Sequence, residues 1–130
     1  MEKSRILVID DDRNIAAGLK TLLIESGYGV SLAESGEEGL QKLAGEQINL
    51  ILLDLVLPGQ SGFKTAQEIK QNPKYTSIPI IAISLRREDI DKHVAAASGI
   101  EEYIEKPIDT QKLLFCVKDL LTITPPTPEV

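Results

Sequence analysis

The clearest indication of the fold comes from residues 50–58, which have the sequence Leu50-Ile51-Leu52-Leu53-Asp54-Leu55-Val56-Leu57-Pro58. Four consecutive aliphatic residues predict a strand that is buried on both faces, which is typical of a parallel sheet covered by helices. Asp54 ends that run, and three more apolar residues follow it. Because an ionisable side chain is rarely buried without a partner or a function, the stretch predicts a central strand with a functional carboxylate at its carboxyl end.

Apolar runs and amphipathic stretches alternate along the rest of the chain. Further strands are predicted at residues 6–9, 29–33, 78–83 and 103–104. Helices are predicted around residues 15–23, 37–43, 63–69, 88–98 and 113–121. Gly27 and Asn72-Pro73 mark two helix ends, and Asp109 can cap the last helix. This alternation predicts an α/β fold, a parallel sheet with helices on both faces.

Composition limits the classes of protein to which the chain can belong. It has 130 residues, 42% of them hydrophobic, and a net charge of −6, which together favour one folded domain and argue against nucleic-acid binding. Its single cysteine, Cys116, and the lack of a signal peptide or membrane span favour the cytoplasm. We expect one domain over residues 1–122 and a proline-rich tail or linker over residues 123–130.

Polar residues follow several of the predicted strands. Asp10-Asp11-Asp12 ends the first, Asp54 the third, Ser84 the fourth, and Lys106 the fifth. In a parallel α/β sheet these ends meet at one edge, where ligands bind. Carboxylates that share a pocket repel one another, and a hard divalent cation, Mg²⁺ or Mn²⁺, would relieve that repulsion. A carboxylate could then accept a phosphoryl group beside the lysine.

Each of these residues also has an ordinary structural explanation when it is taken alone. The aspartates at 10–12 could cap the first helix, Ser84 could belong to a turn, and Lys106 could be a solvated surface lysine. It is their joint placement at the strand ends that favours a functional site.

Four motifs together resemble the receiver domain of bacterial two-component response regulators over roughly residues 4–122. They are Arg5-Ile6-Leu7-Val8-Ile9-Asp10-Asp11-Asp12, Leu52-Leu53-Asp54-Leu55-Val56-Leu57-Pro58-Gly59, Ile80-Ile81-Ala82-Ile83-Ser84 and Tyr103-Ile104-Glu105-Lys106-Pro107. The resemblance implies a flavodoxin-like sheet of strand order 2-1-3-4-5 with five helices on both faces.

The resemblance also implies roles for individual residues. Asp54 would be the phosphoacceptor, with Ser84 and Lys106 contacting the phosphoryl oxygens. Asp11, Asp54 and the backbone carbonyl of Val56 would ligate Mg²⁺ directly. Asp10 would contribute indirectly, Tyr103 would be a switch residue that follows Ser84, and a cis peptide bond would join Lys106 to Pro107.

Some positions depart from the family's usual pattern. Leu85 stands where a small residue is usual and could narrow access to Asp54, while Ser61 replaces a common aspartate. Val56 and Arg86 would flank the path of the hydrolytic water. An apolar Val56 cannot orient that water, and Arg86 could shield the phosphoryl group, so we expect a long-lived phosphorylated form.

The resemblance implies a histidine kinase or a histidine phosphotransfer protein as phosphoryl donor. A phosphorylation-dependent homodimer or an output-domain partner would receive the signal, and we expect no turnover of an external substrate. One alternative is a phosphatase of the haloacid-dehalogenase type, because Asp10-x-Asp12 after an apolar strand matches the first motif of that class. A degenerate receiver that only binds partners is a second alternative.

Overall fold

The computed structural model describes residues 3–57, 61–84 and 99–123. Five strands form one parallel sheet in the order β2-β1-β3-β4-β5. They are β1 (Arg5–Ile9), β2 (Gly29–Ala33), β3 (Leu50–Asp54), β4 (Ile80–Ser84) and β5 (Glu102–Glu105). The predicted α/β class and strand order are therefore confirmed.

Four helices lie within the described residues. They are α1 (Arg13–Glu25), α2 (Gly36–Gly45), α3 (Gly62–Gln71) and a C-terminal helix (Thr110–Ile123). Asp109 caps the C-terminal helix as predicted, since its Oδ1 accepts hydrogen bonds from the amides of Gln111 and Lys112 at 3.0 and 3.2 Å. The helix predicted at residues 88–98 and the tail at residues 124–130 lie outside the described residues.

Side chains that alternate along the strands form a separate core on each face of the sheet. One core includes Val8 and Leu52, packed with α1 and the C-terminal helix. The other includes Leu7 and Ile51, packed with α2 and α3. Because both faces are covered, β3 and β4 are buried along their whole length, as the unbroken apolar runs predict.

The predicted start of the fourth strand is wrong by two residues. The amide of Ile78 donates to the carbonyl of Tyr75 at 3.0 Å, which keeps Ile78 in the turn after α3. Pro79 has no amide hydrogen to donate, although its carbonyl accepts from Ile51 at 3.0 Å. β4 therefore begins at Ile80. None of the four described helices combines the length and the apolar character that a transmembrane span requires.

Candidate functional site

The register of the strands brings the predicted polar residues to one edge of the sheet. Asp54 lies opposite Ile83, the residue before Ser84, and Ser84 lies opposite Glu105, the residue before Lys106. The amide of Lys106 donates to the carbonyl of Ser84 at 2.6 Å, which joins the ends of β4 and β5. The peptide bond between Lys106 and Pro107 is cis, as the resemblance implies.

Three carboxylates cluster at this edge. One oxygen each from Asp10, Asp11 and Asp54 lies within 4.8 Å of the other two. Asp10 and Asp54 are buried, with 2% and 6% of their surface exposed, whereas Asp11 is exposed. The cluster offers oxygen ligands only, on one solvent-facing and two buried side chains, and such a donor set suits a hard cation.

Asp12 does not belong to this cluster. Its carboxylate caps α1, where Oδ1 accepts from the amides of Asn14 and Ile15 at 2.9 and 3.2 Å. The amide of Asp12 in turn donates to Oδ1 of Asp10 at 2.9 Å. The capping explanation is thus correct for Asp12, while Asp10 and Asp11 are free to face Asp54. A phosphatase that used Asp10 and Asp12 as a catalytic pair would need Asp12 to turn away from the helix.

The Asp54 carboxylate is held from two sides. Its Oδ1 accepts from the amide of Val56 at 2.9 Å, and its Oδ2 lies 3.2 Å from Nζ of Lys106. Only 13% of the Lys106 side chain is exposed, so its interpretation as a solvated surface lysine is wrong. Ser84 is 1% exposed and is the last residue of β4.

Burial makes the charged form of Asp10 costly. It raises the pKa of Asp10 from an ordinary value of 3.8 to about 6, and the negative charge of Asp54 adds to that effect. Lys106 and the amide of Asp12 offset part of it. The Oδ2 atom of Asp10 has no hydrogen-bond partner among the described residues. A buried carboxylate oxygen that accepts no hydrogen bond is suited to interact with a divalent cation beside it.

Of the remaining predicted site residues, the structure describes Val56 and Tyr103 but not Leu85 and Arg86. Val56 is 61% exposed at the rim of the site. The Tyr103 hydroxyl is buried with no partner among the described residues, and burial raises its pKa. Leu85 and Arg86 lie outside the described residues. The switch and the slow hydrolysis stay predictions.

Sequence reasoning missed one residue of this edge, Gly62. It begins α3 and is buried against the backbone of Asp54 and Leu55. The sequence offers no distinguishing signal for it, because a glycine also follows the cap residue Ser35 at the start of α2.

Known proteins match both the sequence and the fold. The family model of the response regulator receiver domain matches residues 6–118. Curated relatives include the transcriptional regulatory protein CpxR homolog of Haemophilus influenzae, 35% identical over 118 residues. Another is the transcriptional regulatory protein AfsQ1 of Streptomyces coelicolor, 37% identical over 108 residues. The matches cover 91% and 83% of this chain but 50% and 47% of those relatives, so the chain spans about half their length.

Solved structures agree with the sequence matches. The response regulator protein TrrA from Thermotoga maritima, solved in complex with Mg²⁺ and BeF, is 35% identical with a TM-score of 0.82. The match covers 90% of this chain and 98% of that one. A two-component response regulator from Clostridium difficile is 30% identical with a TM-score of 0.86, and the match covers 93% and 98% of the two chains.

Proposed function

The chain belongs to the response regulator receiver domain family, and from this membership we propose that Asp54 accepts a phosphoryl group in a Mg²⁺-dependent reaction. The observation that carries the proposal is the environment of the Asp54 carboxylate. One of its oxygens is held by the Val56 amide, the other faces the Lys106 ammonium, and two further carboxylates lie beside it. An acid so oriented and so close to a cation is suited to nucleophilic attack on phosphorus.

The covalent step exchanges one bond for another. A carboxylate oxygen of Asp54 attacks the phosphorus of a phosphohistidine on the donor protein. The phosphorus–nitrogen bond breaks, the histidine nitrogen keeps the electron pair, and an acyl phosphate remains on Asp54. Lys106, now 3.2 Å from Asp54, pairs with a phosphoryl oxygen, and the Ser84 hydroxyl contacts another.

In this proposal Asp11, Asp54 and the Val56 carbonyl bind Mg²⁺ directly, and Asp10 supports them indirectly. When bound, Mg²⁺ neutralises the clustered carboxylates and the incoming phosphoryl oxygens. The partnerless Oδ2 of Asp10 and the all-oxygen donor set support this assignment.

Phosphorylation acts as a switch in the same proposal. The Ser84 hydroxyl moves toward phospho-Asp54, and Tyr103 turns inward. The surface formed by the fourth helix, predicted at residues 88–98, by β5 and by the C-terminal helix then changes. The buried, partnerless hydroxyl of Tyr103 supports a side chain with a second position available to it.

The partners follow from the family and from the length of the relatives. A histidine kinase or a histidine phosphotransfer protein supplies the phosphoryl group, and no external substrate is turned over. The relatives named transcriptional regulators are about twice as long as this chain, which supports an output partner as the receiver of the signal. A phosphorylation-dependent homodimer is the other partner that the family implies. A cytoplasmic location stays a prediction.

Phosphorylation is tested with acetyl phosphate and Mg²⁺ on the intact chain, read by mass. We expect one added phosphoryl group that requires Mg²⁺ and is lost in Asp54→Asn. Asp119→Asn, a change to an exposed carboxylate, is the matched control and should retain the adduct. Asp11→Ala should weaken Mg²⁺ binding. An equally abundant adduct in Asp54→Asn would show that Asp54 is not the phosphoacceptor.

A further inference from the structure

The first residue of α3, Gly62, lies unusually close to the backbone that carries Asp54. A Cβ atom added at Gly62 would lie 2.5 Å from the carbonyl oxygen of Asp54 and 2.6 Å from Cα of Leu55. Real Cβ atoms essentially never approach a neighbour more closely than 3.0 Å, so the backbone would have to separate by at least about 0.5 Å to admit even alanine. Because the neighbouring atoms are backbone rather than the end of a side chain, no rotamer change can provide that space.

Hydrogen bonds tie α3 to the same peptide units. The amide of Gly62 donates to the carbonyl of Leu55 at 3.0 Å, and the amide of Leu55 donates to the carbonyl of Ile83 at 3.1 Å. The backbone after Asp54 is therefore fixed between α3 on one side and β4 on the other. A displacement of α3 is transmitted to Asp54, because β4 prevents the Leu55 peptide from moving alone.

From this contact we infer that Gly62 is a positioning residue: its missing side chain lets α3 lie against the Asp54–Leu55 backbone and so sets the place of the Asp54 carboxylate. The inference rests on the proposed function of Asp54. The carboxylate depends on two contacts from different parts of the chain, 2.9 Å to the Val56 amide and 3.2 Å to Nζ of Lys106. A shift of the Asp54 carboxylate by several tenths of an ångström weakens both of these contacts. It also disturbs Mg²⁺ binding, because Mg²⁺ requires its ligands in near-ideal octahedral geometry.

Gly39 in α2 is a matched control. A Cβ atom there would also lie 2.5 Å from its nearest neighbour, but that neighbour is Cδ1 of Ile9, the far end of a flexible side chain. Both glycines are buried in helices and both gain helix propensity as alanine. The two variants thus share the same shortest contact distance, and they differ in whether that contact falls on the Asp54 backbone or on a core side chain.

The experiment compares Gly62→Ala with Gly39→Ala in the full chain. Mg²⁺ affinity is measured by calorimetry, the acetyl phosphate reaction is followed at saturating Mg²⁺, and the Val56 amide proton shift in the metal-free protein reports its bond to Asp54. We expect Gly62→Ala to weaken Mg²⁺ binding about 10-fold or more, to slow phosphorylation about 10- to 100-fold and to move the Val56 resonance. Gly39→Ala should change both constants less than about 3-fold, whatever its melting temperature.

Equal effects of the two variants, or a folded Gly62→Ala with wild-type Mg²⁺ affinity and Val56 shift, would overturn the inference. Both variants are also made with Gly18→Ala, where an added Cβ meets nothing within 4 Å and stabilises α1. If Gly62→Ala fails to fold in the chain that also carries Gly18→Ala, while Gly39→Ala folds in it, then Gly62 is required for folding and the positioning role is rejected. If the wild-type chain accepts no phosphoryl group, the proposed function is rejected. The Val56 amide shift would still test whether Gly62 positions the Asp54 carboxylate, because it is measured without phosphorylation.

Discussion

Charged side chains lie both where the strands of the sheet begin, here called the amino edge, and where the strands end, the carboxyl edge. The two edges differ in how completely those charges are paired. At the amino edge, Nζ of Lys70 donates to the carbonyls of Ile78 and Thr76 at 2.7 and 3.2 Å and to Oε2 of Glu101 at 2.7 Å. The other oxygen of Glu101 accepts from the amide of Ile80 at 3.0 Å. Every polar atom of the pair has a partner, and the pair joins α3 to the starts of β4 and β5.

At the carboxyl edge the charges are not balanced. Within the part of the chain that the structure describes, three carboxylates face the ammonium of Lys106, and Oδ2 of Asp10 has no partner. Packing like charges together opposes folding, and natural sequences accept such local conflict mainly where function requires it. The contrast indicates that the amino edge contributes to stability, whereas the carboxyl edge gives up stability at the place where we propose that a cation binds.

Breaking the paired edge should have the largest effect on stability. Lys70→Met keeps the bulk of the side chain but removes the three hydrogen bonds and leaves Glu101 without its cation. Because 14% of the Lys70 side chain and 32% of the Glu101 side chain are exposed, some solvation remains, and we expect a loss of about 3 kcal/mol in the free energy of unfolding. Urea denaturation measures it, and the Mg²⁺ affinity should not change.

Lys64→Met is the matched control for that measurement, since Lys64 is an exposed residue of the same helix. It should change the free energy of unfolding by less than about 0.5 kcal/mol. Equal stability of the Lys70 and Lys64 variants would mean that the amino edge is not the stabilising one.

Relieving the unbalanced edge should have a smaller effect of opposite sign. The pKa of Asp10 is about 6 in the folded protein against 3.8 ordinarily, so the protonated form favours folding. That contribution is complete below pH 3.8 and is lost as the pH rises through 6, which makes the charged carboxylate costly at pH 8. In EDTA at pH 8, Asp10→Asn should therefore unfold with a free energy about 2 kcal/mol higher than wild type.

The pH dependence identifies the cause of that gain. The advantage of Asp10→Asn should disappear below about pH 4, where both proteins carry a neutral group at residue 10. Saturating Mg²⁺ should reduce or reverse it, because only the wild type offers a charged carboxylate to the cation. Asp119→Asn should show neither effect. An advantage for Asp10→Asn that is independent of pH would trace the gain to packing instead of charge.

Sequence patterns predicted this architecture because the relevant signals are local. An unbroken run such as Leu50–Leu53 identifies a strand covered on both faces, and parallel strands carry their following residues to one edge. Asp54, Asp10 and Lys106 could therefore be placed together before any distance was known. Their residue types then indicated the chemistry of the edge.

Features that depend on long-range contacts could not be predicted in this way. Lys70 is indistinguishable by sequence from an exposed helix lysine, because its partner Glu101 is 31 residues away. The contact of Gly62 depends on where α3 meets the Asp54 backbone. Which aspartate caps α1 depends on which carboxylate reaches the amides of that helix. Residue type and position left capping and function open for all three, and only the family resemblance assigned Asp10 and Asp11 to the metal.

The smallest effect on stability is expected from the Arg13–Glu34 ion pair. It matches the Lys70–Glu101 pair of the amino edge in distance but is more exposed. Nε of Arg13 lies 2.8 Å from Oε1 of Glu34, against 2.7 Å between Lys70 and Glu101. The side chains of Arg13 and Glu34 are 84% and 54% exposed, however. Water competes for both groups and salt screens their attraction, so the pair gains little over its separated ions.

We expect Arg13→Ala to change the free energy of unfolding by less than about 1 kcal/mol, and 0.5 M salt to remove most of that change. A double-mutant cycle with Glu34→Ala isolates the coupling energy, because truncating either side chain alone also alters its other contacts. The same cycle with Lys70→Met and Glu101→Ala should give a coupling several times larger and less sensitive to salt. Equal couplings in the two cycles would show that separation rather than burial sets the strength of these pairs, and the distinction between the paired and the unbalanced edge would then lose its physical basis.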